Sequence, residues 1–180
     1  LDLGGALSNI AGGTTNILPN GNFGPVYESS PLVDDIWISG LPRLHIDVST
    51  STLGGQIYAL LEDCSEVGDC IHIGHAIMDL RYHEGGSDEQ TWIPILETIN
   101  AKMEFFAMDV QVEAGHTIRL SLASTGEDYL PASTSSVVTV QEGSGSNLIL
   151  DIIDSDSKLL FDPPACTHVV CEEWLNQTSI

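Results

Sequence analysis

Polar and apolar residues alternate one for one along Arg43-Leu44-His45-Ile46-Asp47-Val48. The same alternation runs through Met108-Asp109-Val110-Gln111-Val112 and Thr117-Ile118-Arg119-Leu120-Ser121-Leu122. A period of two marks a strand with one buried face. The pattern therefore predicts β-strands with Leu44, Ile46, Val48, Ile118, Leu120 and Leu122 turned inward. Residues 56–61, 71–82, 137–140 and 147–153 are further strand candidates. Helix signals are almost absent. Residues 96–103 are too few and lack a repeating apolar stripe, and Glu172-Glu173-Trp174-Leu175 is expected to form one turn at most. Short strands separated by Gly, Ser and Asp turns predict an all-β fold of two antiparallel sheets packed as a sandwich.

Three regions follow from this pattern. Residues 1–30 are rich in Gly, Asn, Ser and Pro, with Gly4-Gly5 and Gly12-Gly13 as breakers, and read as an irregular lead-in. Residues 31–153 carry the sandwich, with Gly143-Ser144-Gly145-Ser146-Asn147 as a hairpin turn. Residues 154–180 are an extension beyond the last core strand. A 180-residue chain with 42% hydrophobic residues suits one domain with a real core.

Charge narrows the partners. Asp and Glu number 26 against 5 Lys and Arg, for a net charge of −21, yet only 17% of residues are charged. The bias comes from the near removal of cations. Arg43, Arg81, Lys102, Arg119 and Lys158 are scattered singly, which excludes generic binding to nucleic acid or anionic lipid. No apolar run approaches the roughly 18 residues of a membrane span, so membrane insertion is not expected. An acidic extracellular protein and one from a marine or salt-adapted source are both consistent with the charge. The chain opens at Leu1 without a Met and is expected to be a processed or excised product.

The four cysteines form two tight pairs, Cys64 with Cys70 and Cys166 with Cys171. Three connectivities are possible. Local pairing is favoured because each pair brackets turn-like residues, and disulfides would imply an oxidising, extracellular or cell-surface compartment. The C-x-x-C spacing of a zinc site is missing.

Candidate chemistry is sparse. No window matches the G-x-S-x-G nucleophile elbow of an α/β hydrolase. His72 and His75, three apart in a strand, are expected on opposite faces, and His116 follows Gly115 at a turn. Glu62, Asp63, Glu66 and Asp69 form an acidic cluster that suggests structural calcium as the one possible cofactor, although Val67 and Gly74 spoil the EF-hand register. Asp154-Ser155-Asp156-Ser157-Lys158 fails similarly at Lys158. Arg43, His45 and Asp47 share a polar strand face that, with Arg119, is the candidate contact surface. Such a strip can also hold a carbohydrate if Trp37, Trp92 or Tyr58 supplies a stacking platform.

The order of several short motifs adds a resemblance. These are Leu3-Gly4-Gly5, Val26-Tyr27-Glu28-Ser29-Ser30-Pro31-Leu32, Ile38-Ser39-Gly40-Leu41-Pro42, Tyr58-Ala59-Leu60-Leu61-Glu62-Asp63, Leu80-Arg81-Tyr82-His83, Tyr129-Leu130-Pro131 and Ser146-Asn147-Leu148-Ile149-Leu150. The most specific is Gly115-His116-Thr117-Ile118-Arg119-Leu120, followed by Ser121 and Ser124. Over residues 3–153 the chain resembles the C-terminal β-sandwich domain of the X-Pro dipeptidyl-peptidase and cocaine esterase (CocE/NonD-type) hydrolase family. The resemblance implies a jelly-roll, galactose-binding-like sandwich that packs on an α/β-hydrolase domain. In that family the partner domain holds the Ser-Asp-His triad. Those triad residues have no counterpart here, so a non-catalytic accessory domain is expected. A carbohydrate-binding module and a structural cell-surface or filament subunit are the alternatives. The cysteine pairs, the acidity and the extension depart from the family pattern.

The charge balance makes one direct prediction. Repulsion among 21 excess negative charges weakens the compact state, and salt screens it over a few ångström. The melting temperature should rise between dilute buffer and molar sodium chloride. An unchanged or lower value would remove the salt-adaptation reading.

Overall fold

The fold is taken from a computed structural model, which describes residues 14–19, 24–84, 89–126, 129–132, 135–143 and 145–153. The chain runs through β1 (Thr14–Ile17), β2 (Val26–Glu28), β3 (Ile36–Gly40), β4 (Arg43–Thr50), β5 (Gln56–Cys64) and β6 (Cys70–Asp79). It continues through β7 (Ile99–Glu104), β8 (Met108–Val112), β9 (Thr117–Ala123), β10 (Val138–Gln141), β11 (Asn147–Ile149) and β12 (Ile152–Ile153). Every pairing is antiparallel. The first sheet is β1-β10-β4-β11 with β7 on the other edge of β4, the second is β2-β9-β5-β6, and a small third is β12-β3-β8.

Alternation decides what faces the core. Leu44, Ile46 and Val48 of β4, Ile57, Ala59 and Leu61 of β5, and Ile118, Leu120 and Leu122 of β9 are all buried in one cluster. Burying each such side chain contributes roughly 1.5–3 kcal/mol. Polar groups also link the two large sheets. Glu142, just after β10, accepts hydrogen bonds from Thr15 Oγ1 of β1 at 2.9 Å and from Tyr27 Oη of β2 at 3.3 Å. Burial, and then the Glu142 charge, pushes the Tyr27 phenol well above its ordinary range, so Tyr27 remains a donor.

The third sheet continues the first around a corner. β3 runs into β4 through Leu41-Pro42, β7 into β8 through residues 105–107, and β11 into β12 through Leu150-Asp151. Pro42 cannot donate to a ladder, which favours a break there. Gly40 takes a φ of 141° and lies against the Asp151 side chain. The Ser39 amide donates to the Asp151 carbonyl at 3.0 Å and the Phe105 amide to the Pro42 carbonyl at 2.9 Å, so the corner keeps its backbone bonds. A second interruption, between β10 and β11, is closed by Ser146. Its Oγ accepts from the Asp47 amide at 3.0 Å and donates to the Gln141 carbonyl at 2.8 Å.

Several expectations change. The irregular lead-in of residues 1–30 contains β1 and β2, which pair with β10 and β9. Their few residues are too short to show a period. Within residues 96–103, too few for a helix, the chain instead enters β7 (Ile99–Glu104), whose Ala101 and Met103 alternate inward. The strand expected to reach Tyr82 stops at Asp79, and Leu80–Tyr82 is a 3₁₀ turn. The Asp79 carboxylate caps that turn, accepting from the Arg81 amide at 3.0 Å and from its guanidinium. Burial opposes the Asp79 charge, but the Arg81 bonds outweigh it and hold the carboxyl below its usual range. Among the described residues there is no α-helix, as the pattern predicts.

Gly24 offers a test of the packing between β2 and β9. A Cβ there would lie 2.1 Å from the Leu122 carbonyl oxygen, a backbone atom that cannot swing aside. Gly24→Ala should cost about 1–3 kcal/mol in denaturant unfolding. A neutral substitution would show that this segment is not held against β9.

Candidate functional site

The β5–β6 hairpin builds the densest group of chemically capable side chains. Its register holds from Gln56↔Asp79 to Leu61↔Gly74 and then shifts, so that Glu62 faces His72 and Cys64 faces Cys70. Ile73 is therefore an extra residue, a β-bulge. Two consequences follow. The cysteines meet directly across the strands and form a disulfide. It closes a five-residue turn in which Gly68 takes a φ of 89° and the Ser65 amide donates to the Asp69 carbonyl at 2.9 Å. Cys166 and Cys171 lie outside the described residues.

The second consequence corrects an expectation. A spacing of three puts His72 and His75 on opposite faces of a regular strand, but the bulge re-phases β6 and brings them to the same outer face. His75 Nδ1 lies 3.1 Å from His72 Nε2. On its other side, His75 Nε2 lies 2.8 Å from Tyr129 Oη. Tyr58 and Phe106 complete the group. The His75 ring lies 5.2 Å from Phe106, 5.7 Å from Tyr129 and 5.8 Å from Tyr58. The rings are tilted or edge-on to one another, so they interlock and do not form a flat platform. Phe106 is exposed because its corner turns it outward while neighbouring Phe105 fills the core.

The sequence-derived candidates separate. Arg43, His45 and Asp47 do share the outer face of the first sheet. Arg43 reaches Asp151 at 3.4 Å, and Asp47 accepts from Asn100 Nδ2 at 2.6 Å. His45 faces Lys102 across β7. Burial, then the charges of Lys102 and Arg43, lower its pKa and favour the neutral imidazole. Arg119 is not part of that surface. It stands on β9 in the second sheet, beside Glu28 at 3.5 Å. The contact surface proposed from these four residues is therefore divided between the outer faces of two sheets.

The acidic cluster divides as well. Glu62 and Asp63 are adjacent in β5, and alternation sends them to opposite faces. Glu62 accepts from Ser121 Oγ at 3.5 Å and Asp63 is buried against His116, with Asp63 Oδ1 and His116 Nδ1 2.7 Å apart. Glu66 reaches back over Gly115, and Asp69 closes the disulfide turn. Among the described residues no three His, Cys, Asp or Glu side chains converge as a metal site.

The Asp63–His116 pair has the form of a carboxylate orienting a base. Among the described residues, no Ser, Thr or Cys side chain hydrogen-bonds to His116. Its evident work is structural. The His116 carbonyl accepts from the Leu32 amide at 2.8 Å and the Gly115 amide donates to the Leu32 carbonyl at 2.8 Å. The β8–β9 turn is thus tied both to β5 and to the segment after β2. Sequence reasoning named His116 and Asp63 separately, and nothing in their spacing of 53 residues signals the pair.

Residues 19–160 match the family described as the X-Pro dipeptidyl-peptidase C-terminal non-catalytic domain. No curated protein matches the chain significantly. Among solved structures, an aminopeptidase from a marine sediment Thaumarchaeota archaeon superposes with a TM-score of 0.62 at 14% identity, over 72% of this chain and 25% of its own. An α-amino acid ester hydrolase gives 0.62 at 18% identity, over 71% of this chain and 25% of its own. A CocE/NonD family hydrolase from Staphylococcus aureus gives 0.65 at 12% identity, over 79% and 33%. The chain thus spans a quarter to a third of these proteins, and the likeness shows a shared fold.

Removing His116 tests the tie at the β8–β9 turn. His116→Ala leaves the nearly buried Asp63 carboxylate without its partner, and should cost about 1–3 kcal/mol of unfolding free energy. Asp63→Asn with His116→Ala should recover part of that loss. A double variant no better than the single one would show that the pair is not coupled.

Proposed function

Because the chain belongs to the X-Pro dipeptidyl-peptidase C-terminal non-catalytic domain family, we propose that it serves as the accessory sandwich of an X-Pro dipeptidyl-peptidase-like or ester-cleaving serine hydrolase. One observation carries the reading. The family match runs from Pro19, ahead of β2, to beyond β12, and so covers the second and third sheets entirely and all of the first except β1. In this role the domain supplies a stiff wall beside the catalytic domain and limits which substrates approach it. Its contribution is positional, because covalent acyl transfer needs a nucleophile beside its base and oxyanion donors about 3 Å from the reacting atom. The Asp63–His116 pair spends its geometry on holding a turn.

A secreted or cell-surface setting is part of the proposal. The Cys64–Cys70 bridge supports it, since such bonds persist in oxidising compartments. No helix among the described residues is long and apolar enough to cross a membrane.

The purified chain should not turn over Ala-Pro or Gly-Pro chromogenic dipeptides or p-nitrophenyl esters. Saturable hydrolysis abolished by a single Ser or His substitution within these 180 residues would overturn the accessory role.

A further inference from the structure

We propose that His72 and His75 form a binding site for a divalent transition-metal cation of the zinc class on the outer face of β6. The bulge at Ile73 places two imidazoles side by side where an unbroken strand would separate them. Their facing nitrogens, His72 Nε2 and His75 Nδ1, are 3.1 Å apart. Two nitrogens on one tetrahedral zinc, each at roughly 2.0–2.1 Å, lie about 3.3 Å from each other. A small rotation of the exposed His72 ring, with its proton moved from Nε2 to Nδ1 by exchange with solvent, replaces the hydrogen bond between the two imidazoles by a cation bound to both as neutral ligands.

His75 is held as a ligating histidine usually is. Its far nitrogen, Nε2, meets Tyr129 Oη at 2.8 Å. When Nε2–H donates to that oxygen, Nδ1 carries the lone pair offered to the metal. Tyr58, Tyr129 and Phe106 pack around the ring and fix its orientation. Glu62 faces His72 across the hairpin, and the strongly negative chain draws cations toward its surface. Two protein donors leave the remaining positions to water, so this is an open site rather than a closed structural one. Imidazole donors favour zinc, copper or nickel over calcium and magnesium.

Isothermal titration of the purified chain with zinc chloride tests the site. One saturable equivalent is expected, with no comparable binding of calcium. His72→Gln, at an exposed position, should weaken zinc binding at least about tenfold, and Tyr129→Phe should weaken it by about tenfold. His45→Gln and His83→Gln should leave it unchanged. With copper(II) as the probe, electron paramagnetic resonance should show two coupled imidazole nitrogens, reduced to one by His72→Gln. Zinc affinity unaffected by His72→Gln, or the absence of saturable binding, would overturn the proposal.

Discussion

The alternation of β4, β5 and β9 is the constraint on which the rest depends. Leu44, Ile46 and Val48 meet the inner faces of β5 and β9 in one buried cluster. A slip of one residue in any of these strands would send its apolar set into water. Register is therefore fixed in the middle of the molecule, and irregularities are pushed to where they cost least. The bulge at Ile73 lies in β6, at the edge of the second sheet. The β10–β11 gap is stitched by Ser146. The Asp63–His116 pair sits at the end of β5, beside a turn.

Where alternation was long, the sequence was a sound guide. The inward residues of β4 and β9 are those the pattern names, and all are nearly or fully buried. It failed where strands were too short to carry a period, as in β1 and β2, and in β7 it missed an alternation that Ile99, Ala101 and Met103 do carry. The face of His75 is beyond a period argument for a different reason. A period argument assumes an unbroken strand, and a bulge depends on the partner's register, which a single strand does not encode. Arg119, like Arg43, His45 and Asp47, faces outward from its strand. Two outer faces exist in a sandwich, and alternation cannot tell them apart.

Family membership and charge bear on different questions. The match over residues 19–160 identifies the kind of domain. The deficit of cations gives the chain a strongly negative field, which repels other acidic surfaces. The cross-strand disulfide belongs to neither. It lies at the tip of one hairpin and closes a loop with a sequence separation of 6. By the chain-entropy relation a loop this short still contributes about 2 kcal/mol, less than a long loop would, and the bridge also holds the hairpin end closed.

The corner shared by β3–β4, β7–β8 and β11–β12 bears on association. Three strands change direction at the same level, and hydrogen bonds cross the bend between Ser39 and Asp151 and between Phe105 and Pro42. No single peptide can act as a hinge there, because flexing one strand would break bonds held by the other two. A body of this kind loses little internal freedom when another domain settles against it. The entropy of ordering that burdens loop-built contacts is largely settled when the chain folds.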